Sequence, residues 1–386
     1  MRSIYLDYCS TTPIAASVRE AMLPFLHEFY GLPSNHHWFG RCAQEAIEDA
    51  RASVASLLGC HPAEIIFTSG GTESVNLGIL GVARAISGAH SETKPHLIIS
   101  TLEHASVDGC ANQLKREGWD VSQINCNALG IIDLDTLQSA IRKNTRIISI
   151  THASYRFGTV QPIAEIAAIC QASDILLHTD AAQTVGKIDC NVERLGVDAL
   201  SLSGHKFYAP KGIGALYLRM GVPIDSILFG EGNETGLRPG TENVSHIVGL
   251  GQAARLAKSG LETSSDRISE MRDYFHARLE RLLGCEIPIH GLSGNRLPGV
   301  LSIELPGVEA SGLQRQLPEI CFGPTLPRQE VNNYNAQRNL AKIPSGILPS
   351  PSVHTLRISF GWQTSQEELD KALQLIVSAY DSLTER

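Results

Sequence analysis

Short apolar runs alternate with amphipathic stretches through the first two thirds of the chain. Six runs rich in Ile, Leu and Val are expected to be strands, over residues 65–68, 97–100, 147–151, 175–179, 199–203 and 215–218. Unbroken apolar runs are typical of strands that are covered on both faces. Stretches between them, such as 73–86 and 163–170, have the spacing of amphipathic helices. This order predicts an α/β fold with a mostly parallel sheet.

The pattern changes near residue 260. A helical stretch over 265–283 precedes a strand-like run at 300–304, an alternating strand at 355–360 and a final helix that begins near Thr364. The sequence therefore predicts a smaller α+β domain beside a large one.

We place the large domain at 16–258 and build the small one from 1–15 together with 259–386. Between Phe322 and Ser352, Pro, Gly, Asn and Ser dominate and the periodicity is lost, which predicts a long loop.

Charge and cysteine usage narrow the class of protein. The net charge is −8 and no Lys/Arg-rich run occurs, so a nucleic-acid partner is not expected. No apolar run reaches the roughly 18 residues of a membrane span, and the N-terminus lacks the apolar core of a signal peptide. Nine cysteines without a Cys-x-x-Cys pair are typical of a reducing compartment, so we expect a cytoplasmic protein. No H-E-x-x-H or G-x-S-x-G motif is found, and no metal site is expected.

Two apolar runs end in polar groups that suit pyridoxal phosphate (PLP) chemistry. Lys206 follows a Ser-x-Ser-Gly-His turn, where an amine that loses solvation becomes nucleophilic. Asp180 ends an earlier run, with Gln183 three residues later, and a carboxylate there can keep a pyridine nitrogen protonated. Each residue alone also has an ordinary explanation, as a surface lysine or as the N-cap of a helix.

Other segments add weaker signals. Residues 68–76 join a strand to a helix, and their glycines and hydroxyls, Gly71 and Thr72 among them, could cradle a phosphate. His104 follows a strand and could stack on a planar cofactor, although a lone His is more often structural. Thr241 belongs to a Gly/Pro-rich loop that could bind an anion. Arg357 projects from a strand and could grip a carboxylate, or could be an exposed strand charge.

Together and in this order, the motifs resemble the class V aminotransferase family of fold-type I PLP enzymes, and most of all cysteine desulfurases of the NifS/IscS kind. The resemblance extends from Tyr5-Leu-Asp-Tyr-Cys-Ser-Thr-Thr-Pro13 to the final helix. It implies a seven-stranded type of sheet, a homodimer with shared active sites and a protein that accepts sulfur.

The resemblance also implies roles for individual residues. Lys206 would bond covalently to PLP and shuttle the Cα proton, Asp180 would pair with the ring nitrogen, His104 would stack on the ring and Gln183 would contact its hydroxyl. The phosphate would be bound by Gly71, Thr72, Ser203 and His205, and by Thr241 from a second subunit. Arg357 would hold the carboxylate of the substrate.

Two departures from the family pattern bear on the reaction. Tyr155 replaces the Asn that would touch the cofactor. Arg328 falls where the family carries its catalytic cysteine. The nearest thiol, Cys321, is the candidate nucleophile if it can swing into the site, but in its strand-like segment a buried structural role is favoured.

We therefore expect a PLP-dependent reaction at Cα of a small amino acid, with desulfuration of L-cysteine first. A C–S lyase that works by β-elimination stays open, as does another class V reaction. The non-enzyme alternative is a partner subunit that keeps the fold and has lost the activity.

Overall fold

A seven-stranded sheet forms the centre of the protein. The computed structural model describes residues 3–87, 94–291, 295–323 and 352–384. In sequence order the strands of this sheet are β2 (Ile65–Thr68), β3 (His96–Ser100), β4 (Asp120–Ile124), β5 (Thr145–Ser149), β6 (Leu176–Asp180), β7 (Ala199–Ser203) and β8 (Gly214–Leu218). Their spatial order is β2-β8-β7-β6-β5-β3-β4, and only β8 runs antiparallel to its neighbours. The predicted α/β class with a mostly parallel sheet is confirmed.

Strand β4 lies at the edge of the sheet, and the sequence pattern did not reveal it. Its burial pattern is mixed, and only Ile124 of its five residues is buried. A strand at the edge carries polar residues that break up the apolar run on which the prediction depended.

Helices cover the sheet on both sides. In chain order they are α1 (Ala16–Met22), α2 (Pro24–His27), α3 (Trp38–Leu58), α4 (Gly71–Asn76), α5 (Val82–Ser87), α6 (Ala105–Arg116), α7 (Leu134–Ala140), α8 (Ile163–Ala172), α9 (Val192–Leu195), α10 (Val244–Leu283), α11 (Ala310–Gln316) and α12 (Gln366–Thr384). A π-helical segment, Leu77–Gly81, interrupts the helix predicted over 73–86. Gly81 packs so closely that a Cβ there would lie 2.6 Å from the Asp225 carbonyl oxygen.

Helix α10 begins at Val244, well before the start predicted near residue 265. Its first half contains glycines, which look unfavourable for a helix in sequence. The structure explains them by close packing, because a Cβ on Gly251 would lie 2.5 Å from Cα of Ala50 in α3. The division at 258/259 thus falls inside one continuous helix, and the two domains stay a prediction.

A second apolar cluster surrounds two short sheets. Strand β1 (Ile4–Leu6) pairs in parallel with β10 (Ile320–Phe322), and β9 (Val300–Glu304) pairs antiparallel with β11 (Thr355–Ser359). The later half of α10, together with α11 and α12, packs into the same cluster. The chain from β1 therefore starts in this cluster and then crosses to the central sheet, where Thr12 N donates to His205 O at 2.9 Å.

Within the described residues, we find no helix long and apolar enough to cross a membrane.

Candidate active site

A cleft of about 620 Å³ lies where the carboxyl ends of the parallel strands meet the chain that follows β1. Ten of the predicted site residues line it: Gly71, Thr72, His104, Tyr155, Asp180, Gln183, Ser203, His205, Lys206 and Arg357. Ligands of open α/β sheets bind at this edge because the strand ends leave a crevice there. The cleft has two walls. The sheet wall consists of residues at or just after the ends of β2, β3, β5, β6 and β7. The second wall consists of Cys9, Ser10, Arg357 and the backbone of Tyr155.

Lys206 lies in the short 3-10 turn Gly204–Lys206 that follows β7. Its Nζ donates to the carbonyl oxygens of Cys9 at 2.9 Å and Ser10 at 2.8 Å. Burial lowers the pKa of this amine, and the positive charge of Arg357 acts in the same direction. An amine with a lowered pKa is neutral more of the time, and the neutral form is the nucleophile.

Asp180 is the last residue of β6 and is 6% exposed. Its Oδ1 accepts a hydrogen bond from Ala182 N at 3.0 Å, so the carboxyl also holds the turn that follows the strand. No helix begins there, which removes the ordinary explanation as a helix N-cap. Burial raises the pKa of Asp180, while His104 and Lys206 oppose the rise. A cationic partner in the cleft would favour its ionised form.

His104 caps α6, since its Nδ1 lies 3.2 Å from the Ser106 backbone nitrogen that donates to it. The same ring lines the cleft, with its centroid 6.1 Å from that of Tyr155 and the planes at 73°. His104 therefore has a structural role at the start of α6, and its stacking on a cofactor stays a prediction.

The turn after β2 brings bare backbone to the cleft. A Cβ on Gly70, whose φ is +153°, would meet no atom within 4 Å, whereas a Cβ on Gly214 would lie 2.8 Å from Cα of Gly70. On the same wall, burial lowers the pKa of His205 to about 4, and its Nδ1 lies 3.1 Å from Thr11 Oγ1. A neutral imidazole can donate a hydrogen bond to an anion, and so can the hydroxyls of Thr72 and Ser203 in the same cleft. None of these groups carries a charge.

Arg357 projects from β11 and is 8% exposed. One of its terminal nitrogens donates to Tyr155 O at 3.1 Å, and the other donates to Asp7 Oδ1 and Ser10 Oγ, both at 2.9 Å. The guanidinium is thus held at the cleft by three contacts, and it is not the exposed strand charge that the sequence left open.

Tyr155 lines the cleft, as its sequence position indicated, but its phenol points towards Arg156, whose Nε donates to Tyr155 Oη at 2.9 Å. Its backbone oxygen accepts from Arg357. Because tyrosine is longer than asparagine, the polar atom of residue 155, its hydroxyl oxygen, lies next to Arg156.

Two predicted site residues do not line this cleft. Thr241 is exposed and lines a neighbouring pocket that it shares with Ser69 and Gly212. Cys321 lies in β10, where it is paired with Tyr5 of β1. Arg328 and most of the predicted loop 322–352 lie outside the described residues.

Sequence reasoning missed Cys9 and Lys187. Cys9 Sγ lies 3.2 Å from Gln183 Oε1, and Lys187 Nζ donates to the same oxygen at 3.2 Å. Gln183 Nε2 donates to Cys9 O at 3.1 Å, so the amide faces the second wall. Burial lowers the pKa of Lys187 to about 8. Cys9 stood within the quoted N-terminal motif, but nothing in the sequence showed that this segment reaches the strand ends.

Glu103 was also missed. It is buried behind His104, and burial raises the pKa of its carboxyl to about 8. Its Oε1 accepts from Thr151 N at 2.9 Å, whereas its Oε2 has no hydrogen-bond partner among the described residues. Burial therefore favours the protonated form of this carboxyl, which supports the sheet wall through Thr151.

Comparison with known proteins identifies the family. The family model for class-V aminotransferases matches residues 4–372. The chain belongs to the class-V aminotransferase family. A curated member, a protein named cysteine desulfurase IscS from Dictyoglomus turgidum, is 40% identical over 389 residues that cover 99% of this chain and 95% of that protein. The protein of the same name from Neisseria meningitidis is 38% identical over 99% of this chain and 93% of its own length.

Solved structures in this family share the fold. A NifS-like protein superposes with a TM-score of 0.88 at 33% identity, covering 97% of this chain and 98% of its own. A structure described as SspA in complex with cysteine gives a TM-score of 0.77 at 33% identity, covering 93% and 99% of the two chains. The predicted PLP-transferase architecture of fold type I is thus confirmed.

Proposed function

We propose that this class-V aminotransferase family member is a PLP-dependent enzyme that removes sulfur from L-cysteine. The observation that carries the proposal is the meeting of Lys206, Asp180 and Arg357 in one cleft. An amine, a carboxylate and a guanidinium are the groups needed for the cofactor aldehyde, the ring nitrogen and the substrate carboxylate. The names of relatives that cover nearly the whole chain support the same reaction.

The residues present fit PLP. The backbone at Gly70 is open to the cleft, because a Cβ there would meet no atom within 4 Å. Ser203 and His205 line the same cleft. Gly71, Thr72, Ser203 and His205 would hold the phosphate, Asp180 the ring nitrogen and His104 a ring face. When bound, PLP withdraws electrons from Cα of an amino acid. Lys206 would hold the cofactor at its Nζ and move the proton at Cα.

Arg357 would orient the substrate through its carboxylate. Its present contacts with Asp7 and Ser10 fix the guanidinium at the second wall. A guanidinium that is held in place can donate hydrogen bonds to a substrate carboxylate, which sets the orientation of an amino acid as well as its affinity. The α-carbon would then lie between Arg357 and Lys206.

Part of the proposal concerns assembly. We propose a homodimer in which Thr241 of one subunit completes the phosphate site of the other, because Thr241 is exposed and does not line its own cleft. Phe229, which is 91% exposed in the preceding segment, fits a surface that a second copy covers. A protein acceptor of sulfur and a cytoplasmic location stay predictions from the sequence.

One observation favours a second candidate, a C–S lyase. No cysteine follows Cys321 in the sequence, so no thiol is available at the position of Arg328. Without a thiol to take the sulfur, β-elimination would release sulfide and leave pyruvate.

The experiment that tests the proposal is product analysis. Purified enzyme with PLP and L-cysteine should give alanine in amounts that match the sulfur removed. Lys206→Ala should give none above the uncatalysed background. Pyruvate with free sulfide, in place of alanine, would contradict desulfuration and support the lyase. If neither product forms, the partner-subunit alternative is favoured.

A further inference from the structure

The second wall contains a thiol that has no assigned task. Of the nine cysteines, all of which the structure describes, Cys9 alone lines the cleft. It is 2% exposed and its backbone is fixed, because Cys9 N donates to Ser359 Oγ at 2.8 Å and Cys9 O accepts from both Gln183 and Lys206. Its sulfur is therefore held at a defined place beside the reacting groups.

The two groups that would hold a substrate amino acid both contact the Cys9–Ser10 dipeptide. Lys206 Nζ donates to the carbonyl oxygens of both residues, and Arg357 donates to Ser10 Oγ. A small amino acid that lies between Lys206 and Arg357 therefore has residue 9 as a neighbour. Cys321, by contrast, lies in β10 and outside the lining of the cleft.

Three basic and two acidic side chains lie around the thiol. Lys187 shares the acceptor Gln183 Oε1 with Cys9, Lys206 bonds its carbonyl, and Arg357 bonds the next residue. Asp7 is paired with Arg357 at 2.9 Å, and Asp180 lines the same cleft as Lys206.

Space for a second sulfur atom exists behind Cys9. A small cavity of about 30 Å³ adjoins the cleft and is lined by Cys9, Gly186 and Lys187, with apolar residues around them. A cavity of that size holds about one water molecule, which is similar in size to a sulfur atom.

From these observations we propose that Cys9 is the nucleophile that takes the sulfur of L-cysteine and becomes a persulfide. The inference rests on the proposed function. The Cys9 sulfur, after losing its proton, bonds to the sulfur of the substrate, and the Cβ–S bond of the substrate breaks. The electron pair stays with Cβ, which gains a proton and becomes the methyl group of alanine. Cβ is reduced and the two sulfurs are oxidised to the persulfide, so no outside oxidant is needed.

The test is to map the persulfide in the holoenzyme. After incubation with L-cysteine and alkylation, peptide mass spectrometry should find one added sulfur on Cys9. In Cys9→Ser and Cys9→Ala the persulfide should vanish and alanine formation should fall at least ~100-fold, as expected for loss of a reacting group. Cys285→Ser, a half-buried cysteine outside the cleft, is the matched control and should keep both signals. Circular dichroism and cofactor absorbance should show that each variant is folded and loaded.

A readout without turnover supports the same test. In the cofactor-free protein, iodoacetamide should alkylate Cys9, and bound PLP should slow that reaction. Undiminished alanine formation in Cys9→Ser would overturn the Cys9 proposal while desulfuration stands, as would a persulfide on Cys321 that disappears in Cys321→Ser. A wild-type enzyme that forms no alanine would overturn both proposals.

Discussion

The two walls of the cleft differ in how the chain builds them. The sheet wall comes from strand ends that are close in the sheet because neighbouring strands are paired in register, as β6 and β7 are. The second wall comes from contacts between residues far apart in sequence, such as Arg357 with Asp7 and Cys9 with Gln183. Strand pairing alone brings the residues at the ends of parallel strands together. The second wall depends instead on how the remaining elements pack.

We propose that the cofactor binds to the sheet wall and the substrate to the second wall. Mutations in the sheet wall should therefore affect the cofactor first, and mutations in the second wall should affect the substrate first. Four substitutions test this difference.

The largest effect is expected for Lys206→Ala. Because this amine would hold the cofactor and move the Cα proton, its loss should lower kcat by ~1000-fold or more. It should also remove the visible absorbance band of the loaded enzyme. Lys258→Ala, at an exposed lysine of α10 that donates to Ser56, is the control and should leave both unchanged. A normal band in Lys206→Ala would separate Lys206 from the cofactor.

Asp180→Asn should have the next largest effect. An amide cannot stabilise a protonated ring nitrogen, so kcat should fall by roughly 100- to 1000-fold while L-cysteine binds nearly as before. Steady-state kinetics and an absorbance titration with PLP measure the two parts. If KM changed in place of kcat, the division of tasks between the walls would be wrong.

Arg357→Lys tests the second wall. A lysine keeps the charge but cannot give two parallel hydrogen bonds, so we expect KM for L-cysteine to rise about 10- to 100-fold. The affinity for PLP should stay the same, as an equilibrium titration would show. Weaker PLP binding at unchanged KM would place Arg357 with the cofactor and reverse the assignment.

Glu103→Gln should change the activity least of the four. It should instead change how the free energy of unfolding depends on pH. Glu103 has an ordinary pKa of 4.5 and a pKa of about 8 when folded, so folding favours its protonated form. The contribution of this protonated form to the free energy of unfolding is complete below pH 4.5. It is lost as the pH rises towards 8, and it amounts to roughly a few kcal/mol. In Glu103→Gln that loss should disappear, and denaturant unfolding at pH 5 and pH 8 measures it. The same slope in both proteins would show that Glu103 is ionised throughout.

The sheet wall could be predicted because the end of each strand can be recognised within a short segment of the sequence. Strands β2 and β7 were located to the residue, and the polar groups after β6 and β7, Asp180 and Lys206, follow from where apolar runs stop. The family match and the NifS-like structures agree with the architecture that this pattern indicated.

The second wall could not be predicted in the same way. Cys9 reaches Gln183 only because β1 pairs with β10 in another cluster and the chain then crosses to the strand ends. Glu103 and Lys187 lie in segments where a charge looks like ordinary surface. Only tertiary packing shows that they contact Thr151 and Gln183, which line the cleft. Whether Arg357 is exposed or buried likewise depends on Asp7 and Ser10, which are distant in sequence.

We propose that the amine at position 206 holds the cofactor aldehyde in this cleft. The most direct measurement reduces the purified holoenzyme with borohydride, digests it and locates the pyridoxyl group by mass spectrometry. The account predicts a single modified residue, Lys206. Modification of Lys187 or Lys211, which also adjoin the site, or of no lysine at all, would contradict it.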